Sequence, residues 1–229
     1  MSQSMDRRRF IQAGAVVAVA AAGAGALGQA SERRAALGTK IIGISCSPRK
    51  GKTTAVAVTA ALEAAREAGA QTELIELADL KLELAPPSGQ DDDLAKVVRK
   101  LGDAQVGGII IGSPVYMGTI STQCKLLLDR MMMLRRDNFA LRDKVGGAIA
   151  VGGVRNGGQE MTLQAILMSL LCHDMVIVGD GRPTAHWGGT LLNDGKDDIS
   201  GDAFGLTTAR GVGRRVAEMA MRVAQVPPK

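Results

Sequence analysis

A loop rich in hydroxyl and basic side chains, residues 45–54 with the sequence SCSPRKGKTT, is the first segment suited to chemistry. It follows a short isoleucine-rich run and opens into a helical pattern. Hydroxyl groups and the N–H groups of a helix N-terminus bind phosphate, so the loop predicts a phosphate site. The alternatives are a purely structural turn and the P-loop of a nucleotide hydrolase. The P-loop pattern requires glycine where Cys46 stands, and Pro48 removes an N–H group from the cradle.

Two glycine-rich segments follow later apolar runs, residues 112–119 (GSPVYMGT) and 152–160 (GGVRNGGQE). Glycine lets the backbone approach a flat ring closely enough to hydrogen-bond its edge. The first segment contains Tyr116, the only tyrosine of the chain. It lacks the acidic residue that helps nucleotide hydrolases to hold Mg²⁺. One phosphate loop and two ring-edge loops together predict a mononucleotide cofactor.

An alternation of strands and helices must position these loops. The pattern predicts strands over residues 40–45, 71–77, 106–112, 145–151 and 175–178, and helices over 53–69, 91–102, 120–136, 160–172 and 203–223. Residues 182–201 show neither period and are predicted to be a long loop. Five strands that alternate with five helices indicate one α/β domain with a parallel sheet. Ligands of such sheets bind beyond the C-terminal ends of the strands, where the three loops lie.

The composition excludes several classes of protein. Aromatic residues make up only 2% of the chain, which argues against proteins that stack bases on aromatic side chains. The net charge is +5, of which the first 30 residues contribute +2, and the remaining +3 is too small to imply a nucleic-acid partner. The three cysteines, at positions 46, 124 and 172, lack the spacing of metal ligands. We therefore predict no metal site.

The first 30 residues are predicted to be an export signal. Arg7-Arg8-Arg9-Phe10 precedes an Ala/Gly/Val run that glycines dilute too strongly for a stable membrane-spanning helix. A charged start, a modest apolar stretch and the small residues at 28–30 are typical of a cleavable signal. The Arg-Arg-x-Phe pattern resembles the twin-arginine signature, although Asp6 replaces the usual Ser or Thr. We therefore expect a periplasmic or otherwise extracytoplasmic protein, with an uncleaved anchor as the alternative.

Four motifs in order along the chain resemble the NADPH-dependent FMN reductase family, near its iron–sulfur flavoprotein branch. They are Ser47-Pro48-Arg49-Lys50-Gly51-x-Thr53-Thr54, Gly112-Ser113-Pro114-Val115-Tyr116-x-Gly118, Leu128-Asp129-Arg130 and Gly157-Gly158-Gln159-Glu160. The resemblance implies a flavodoxin-like three-layer α/β sandwich over residues 38–225, with a five-stranded parallel sheet and bound FMN. The iron–sulfur branch has a compact cysteine cluster after the second strand. Here residues 78–90 contain no cysteine, so the resemblance implies flavin without an iron–sulfur cluster.

The family's site residues can be carried over by position. Ser47, Arg49, Thr53 and Thr54 would hold the FMN phosphate. Pro114, Val115, Tyr116, Met117 and Gly118 would line one side of the isoalloxazine, and Gly152, Gly153, Val154 and Arg155 would line its other edge. Tyr116 and Arg155 are the candidate catalytic residues. Arg155 would supply positive charge near N1 of the flavin, unless it is simply a solvated loop residue.

The resemblance also implies an oxidoreductase of the NAD(P)H:acceptor type, with NADPH as a candidate electron donor. Its partners would be a small-molecule or protein donor and acceptor, and we expect a homodimer or homotetramer. The alternative is a carrier of the cell envelope that uses FMN to shuttle electrons and has no substrate of its own. An extracytoplasmic location conflicts with NADPH as the donor, because soluble NADPH is not expected there.

Overall fold

The computed structural model describes residues 39–84 and 91–225. The predicted export signal at 1–30 and most of the predicted loop at 84–90 lie outside these ranges. No helix within the described ranges is long and apolar enough to cross a membrane.

Strands and helices alternate along the chain, as the sequence pattern predicts. The strands are β1 (Lys40–Ser45), β2 (Gln71–Glu76), β3 (Val106–Pro114), β4 (Val145–Gly152), β5 (Val176–Ile177) and β6 (Gly189–Leu192). The helices are α1 (Thr53–Glu67), α2 (Asp93–Gly102), α3 (Thr122–Arg130), α4 (Met132–Arg136), α5 (Gln159–Leu171) and α6 (Ala203–Ala224). A 3₁₀ turn, Leu77–Asp79, follows β2.

The strands form a parallel sheet in the order β2-β1-β3-β4-β5, and β6 also pairs with β4. The fifth position of the sheet is shared by two short strands. β5 pairs with the start of β4 at Val145↔Val176, and β6 pairs with its end at Ile149↔Gly189. The predicted five-position parallel sheet is therefore confirmed.

Two details of the sequence prediction are wrong. The segment 182–201 is not a continuous loop, because it contains β6, whose four residues are too few to show a period. The helix predicted over 120–136 is interrupted at Met131, which separates α3 from α4. Met131 itself has helical backbone angles and is buried, whereas the next two methionines are at least one-third exposed.

Helices cover both faces of the sheet and give the three layers. On one face, Ile42, Ile44 and Ile111 pack with residues of α2, α3 and α5. On the other face, Ile41 and Ile110 pack with residues of α1 and α6. Strands buried on both faces account for the nearly continuous apolar runs in the sequence.

Helices α1 and α6 approach each other until backbone meets backbone. A Cβ atom at Gly213 of α6 would lie 1.8 Å from the carbonyl oxygen of Ala61 in α1. The facing positions carry small side chains, among them Ala57, Ala65 and Ala217, all buried. This packing fixes α1 against the sheet and thereby positions the loop at its N-terminus.

Candidate functional site

Residues 46–52 connect β1 to α1 at the C-terminal edge of the sheet. The Cys46 N–H donates to the Gly112 carbonyl at 2.8 Å, which ties the start of this loop to β3. The buried Ser47 hydroxyl accepts from the Arg49 N–H at 3.1 Å. Gly51 adopts a left-handed conformation with φ of 62°. The loop is therefore a tight turn whose basic side chains stay exposed while its serine faces inward.

The N-terminus of α1 carries no side-chain cap. Its N-cap residue is Lys52, which makes no capping hydrogen bond, and its first turn contains no acidic residue. Three other helices are capped by side chains, those of Asp92, Ser121 and Asp202. The first-turn N–H groups of α1, next to buried Thr53 and Thr54, therefore lack a capping side chain of this kind. This helix end is suited to an anion, as the sequence predicts.

Carboxylates from distant parts of the chain bind this basic loop. Asp197 pairs with the Arg49 guanidinium, and its second oxygen lies 3.5 Å from the Lys52 ammonium. The Glu76 carboxylate accepts from the Gly51 N–H at 2.7 Å. The hydrogen bond from Arg49, together with the charge of Lys52, holds the pKa of Asp197 below its ordinary value. Sequence reasoning missed Asp197, because nothing in its aspartate-rich segment indicates that it lies beside residues 49–52.

The second predicted loop forms a tight hairpin after β3. Tyr116 and Thr119 exchange backbone hydrogen bonds of 2.9 and 3.1 Å. The two residues between them, Met117 and Gly118, have φ angles of 49° and 79°, the left-handed pair of a narrow hairpin turn. The Met117 side chain is fully exposed at the tip, and Tyr116 is about half exposed. The turn thus presents the apolar Met117 side chain and accessible backbone to a ligand of this edge of the sheet.

The third predicted loop, after β4, lies directly against this hairpin. A Cβ atom at Gly158, where φ is 111°, would lie 2.7 Å from Cα and the carbonyl oxygen of Gly118. The buried Gln159 side chain fixes the loop from below, since it accepts from the Gly157 N–H at 2.9 Å and donates to the Val154 carbonyl at 2.8 Å. Gly153, by contrast, faces open space. The contact requires glycine at position 158. Gln159 is a positioning residue whose role no sequence pattern indicates.

Two buried serines connect the hairpin to the phosphate loop. The Ser121 hydroxyl donates to the Cys46 carbonyl at 2.7 Å, and the Ser113 hydroxyl accepts from the Ser121 N–H at 3.0 Å. Through these bonds and the Gly118–Gly158 contact, the three predicted loops form one cradle. The structure therefore brings together the segments that carry all the predicted site residues: Ser47, Arg49, Thr53, Thr54, Pro114, Val115, Tyr116, Met117, Gly118, Gly152, Gly153, Val154 and Arg155.

Arg155 lies on this cradle, but its charge is already paired. Its guanidinium is 2.7 Å from the carboxylate of Asp202, the N-cap of α6. Partial burial of Asp202 acts to raise its pKa, yet hydrogen bonds from Leu192, Gly205 and Arg155 outweigh burial and lower it. The role of Arg155 as a positive charge near the flavin therefore stays a prediction, and it requires this ion pair with Asp202 to open.

Two cysteines lie beneath the cradle. Cys46 and Cys124 are both fully buried, and the Ser121 hydroxyl that binds the Cys46 carbonyl also accepts from the Cys124 N–H at 3.1 Å. Burial, reinforced by a hydrogen bond with the Cys124 thiol, raises the pKa of Cys46 well above its ordinary value. The described ranges contain no group of three or more His, Cys, Asp or Glu side chains arranged to hold a metal ion.

The reactivity of the thiols follows from this burial. We expect a disulfide exchange reagent to modify Cys172, which is exposed, at once in the folded protein. Cys46 and Cys124 should react only after unfolding, because the thiolate is the reactive species and both groups are shielded from solvent. Counting released thionitrobenzoate before and after addition of guanidinium measures this. Rapid release of two or three equivalents from folded protein would contradict the burial.

The chain is similar to several known proteins. Residues 39–187, more than half of the chain, match the sequence profile described as NADPH-dependent FMN reductase. An iron–sulfur flavoprotein of Methanocaldococcus jannaschii is 47% identical over 189 residues, which cover 79% of this chain and 96% of the relative. An NAD(P)H dehydrogenase (quinone) of Afipia carboxidovorans is 34% identical over 178 residues, 72% of this chain and 89% of the relative. A solved WrbA-like flavodoxin from Agrobacterium tumefaciens, 23% identical, has a TM-score of 0.61 and covers 81% of this chain and 99% of that one.

These similarities agree with the geometry. The likeness to a solved flavodoxin confirms the flavodoxin-like fold predicted from the sequence. The relatives include iron–sulfur flavoproteins, the branch that the four motifs resemble. The profile match begins at the start of β1 and includes the phosphate loop, the hairpin and the loop after β4. The chain belongs to the NADPH-dependent FMN reductase family, a family of FMN-dependent oxidoreductases.

Proposed function

We propose that this protein binds FMN in the three-loop cradle and transfers electrons from NAD(P)H, or from a donor of the cell envelope, to a small acceptor. The observation that carries the proposal is the uncapped N-terminus of α1, joined to two glycine loops with open backbone. Such a helix end binds phosphate, and exposed backbone at Gly118 and Gly153 is suited to the edge of a ring. The residues present therefore fit FMN.

The chain's own groups have distinct tasks in this proposal. The Ser47 hydroxyl and the first-turn N–H groups at Thr53 and Thr54 hold the phosphate, and Arg49 contributes charge. Gln159 keeps the loop after β4 in place, so that its backbone meets the ring without rearrangement. When bound, FMN supplies the redox chemistry, since it accepts a hydride or single electrons.

The proposal is tested in two steps with the purified protein. FMN titration followed by calorimetry establishes binding, and steady-state oxidation of NADPH or NADH with a quinone or free flavin establishes turnover. Saturable binding with turnover supports the enzyme. Binding with one reduction event and no turnover with any acceptor favours the electron carrier. Absence of FMN binding contradicts both.

We propose further that this protein binds FMN but no iron–sulfur cluster. Several of its relatives, in contrast, are named iron–sulfur flavoproteins. The chain's three cysteines are far apart in sequence, and residues 78–90 contain none. Cys46 and Cys124 are buried under the cradle, whereas Cys172 is exposed. Iron analysis and the visible spectrum of anaerobically purified protein test this, and stoichiometric iron with sulfide would contradict it.

The arginines of the first 30 residues support export of the protein in its folded form. We expect the triple variant with Arg7, Arg8 and Arg9 replaced by lysine to remain in the cytoplasm, because twin-arginine transport reads the guanidinium pair. Three positions are changed since Arg8-Arg9 offers a shifted pair. Lysines at Arg33 and Arg34, an arginine pair beyond the predicted signal, provide the matched control. Normal export of the triple variant in cell fractionation would contradict the proposal.

Export determines which electron donor is relevant. Soluble NADPH is not expected outside the cytoplasm, so a quinol or a redox protein replaces the nucleotide in this proposal. Stopped-flow reduction of FMN-loaded protein by NADPH, NADH and a soluble quinol compares the donors directly. We expect NADPH to reduce the flavin only slightly faster than NADH or the quinol does, because the site is not specialised for the nucleotide in this proposal. Fast reduction by NADPH alone, at low concentration, would contradict an envelope donor and weaken the case for export.

The outer face of α5 supports self-association. Met161, Met168 and Leu171 are between 49% and 60% exposed, although the helix contains only one charged residue, Glu160. An apolar helix face without like charges is suited to pack against its own copy in a homodimer or homotetramer. Light scattering after size exclusion tests this, with Met168→Lys expected to dissociate the assembly. A monomeric wild-type protein at micromolar concentration would contradict it.

Asp197 competes with FMN for the basic loop in this proposal. Its carboxylate pairs with Arg49 and Lys52, two basic residues of the loop that leads into α1. Asp197→Asn removes this competing anion at nearly constant shape, so we expect FMN to bind about threefold to tenfold more tightly. Asp198→Asn, at an exposed neighbouring carboxylate that binds Ser200, is the matched control. Equal FMN affinity in both variants would show that Asp197 does not occupy the phosphate position.

A further inference from the structure

Carboxylates from two distant segments contact the phosphate loop, residues 46–52. Glu76 is the last residue of β2 and pairs in register with Ser45, the last residue of β1, so both strands end at the same level beside the loop. Asp79 follows in the 3₁₀ turn after β2. Asp197 comes from the segment between β6 and α6. The loop therefore has acidic neighbours that the fold, and not the local sequence, brings to it.

Each basic side chain of this loop has an acidic partner. The Arg49 guanidinium and the Lys52 ammonium both pair with the Asp197 carboxylate, Lys52 at 3.5 Å. The Lys50 ammonium lies 2.9 Å from the Asp79 carboxylate. The positive charge that the sequence of the loop indicates is therefore largely compensated within the folded chain.

A backbone donor of the loop is also occupied. The Glu76 carboxylate accepts from the Gly51 N–H at 2.7 Å, a donor that would otherwise be available to an anion. The first-turn N–H groups of α1, in contrast, carry no capping side chain. The donors without a carboxylate partner are thus concentrated at one point, the start of α1, which is sufficient for one phosphate group.

A second phosphate linked to the first meets different surroundings. Because the first phosphate occupies the helix end, the second lies farther from it, among the paired side chains of the loop. There it loses water without gaining a free cation, and the carboxylates of Glu76 and Asp197 carry charge of its own sign. An anion that is desolvated without such compensation is unfavourable.

We propose that Glu76 and Asp197 determine the specificity of this site, in that they admit a flavin with one terminal phosphate and disfavour flavin diphosphates such as FAD. Neither residue needs to touch the flavin ring, since both act by occupying the donors and cations that a second phosphate requires. The inference rests on the proposed function and deepens it, because it assigns the choice between two cofactor classes to two named carboxylates.

The test compares ligands that share the isoalloxazine ring, so that contributions of the ring cancel. FMN and riboflavin 5′-diphosphate differ only in the second phosphate, and FAD carries the same second phosphate together with adenosine. Each is titrated by calorimetry into flavin-free, full-length protein at low salt, without an electron donor. We expect the wild-type protein to bind FMN at least about tenfold more tightly than riboflavin 5′-diphosphate, and FAD to follow the same order.

Charge-removing variants identify the residues responsible. Glu76→Gln and Asp197→Asn nearly preserve shape, and each should narrow the ratio of the two affinities by about twofold to fivefold, the effect of one exposed charge pair. The double variant should narrow it about tenfold, because Arg49 and Lys52 become free to pair with the second phosphate. Glu83→Gln is the matched control, since this carboxylate pairs with Lys81 outside the loop.

Salt distinguishes charge from steric exclusion. In the double variant, added salt should weaken binding of the diphosphate more than binding of FMN and thereby restore part of the wild-type ratio, because the released cations are screened. Steric exclusion predicts a ratio that neither the substitutions nor salt change.

Three outcomes would overturn the inference: equal affinity of the wild-type protein for FMN and riboflavin 5′-diphosphate, the same ratio in the wild type and the double variant, or equal narrowing in Glu83→Gln. In each of these cases FMN itself still binds, so the proposed function survives. Absence of FMN binding by the wild-type protein contradicts the proposed function instead, and the two failures are therefore distinguishable.

Discussion

Replacement of Arg49 by alanine is expected to weaken FMN binding about 10- to 150-fold, equivalent to about 1.5–3 kcal/mol, the range for a hydrogen bond to a charged group. The structure supplies the reason, because the Arg49 guanidinium already binds an anionic group, the carboxylate of Asp197. Its backbone N–H is at the same time tied to the Ser47 hydroxyl, which fixes the residue within the loop. Calorimetric titration of flavin-free protein with FMN measures the change.

The neighbouring Lys50 provides a matched control for the loss of charge. It lies in the same loop and has the same sign, but its ammonium is 2.9 Å from Asp79, beyond the end of β2. Lys50→Ala should therefore change FMN affinity by less than about twofold. The Lys50 ammonium is exposed, so water and salt screen its attraction for the FMN phosphate. Equal effects of the two substitutions would mean that the loop attracts FMN by net charge alone. Unchanged affinity in Arg49→Ala would count against the phosphate site.

The cradle could be predicted from sequence because its determinants are local. A phosphate loop needs small, hydroxyl and basic residues between a strand and a helix, and residues 45–54 show this order directly. The two glycine loops also follow apolar runs. Parallel strands place their C-terminal ends at one edge, so three loops that follow strands must lie near one another. The contact between Gly118 and Gly158 confirms that the second and third loops lie side by side.

The features that the sequence did not reveal depend on contacts between distant segments. Asp197 reaches Arg49 across 148 positions of the chain, and no local pattern distinguishes it from the aspartates beside it. Similarly, β6 is a strand only because the end of β4 offers it a partner, since four residues have too little periodicity of their own.

Helix packing behind the cradle carries the largest expected effect on stability. Gly213→Ala would place a Cβ atom 1.8 Å from the Ala61 carbonyl oxygen, a backbone atom that cannot move without shifting α1. Overpacking of this kind costs about 3 kcal/mol, whereas alanine gains about 1 kcal/mol over glycine in a helix. We therefore expect a net loss of about 2 kcal/mol in the free energy of unfolding, measured by urea denaturation.

The same substitution connects packing to the site. Because α1 must move away from α6 to admit the methyl group, its N-terminus at Thr53 moves relative to β1, and FMN binding should weaken together with stability. Gly201→Ala is the control, since a Cβ atom there meets nothing within 4 Å and should change neither quantity appreciably. An increase in stability for Gly213→Ala would show that the helix propensity of alanine outweighs the close contact with Ala61. Unchanged FMN affinity in this variant would show that the two helices separate without disturbing the phosphate loop.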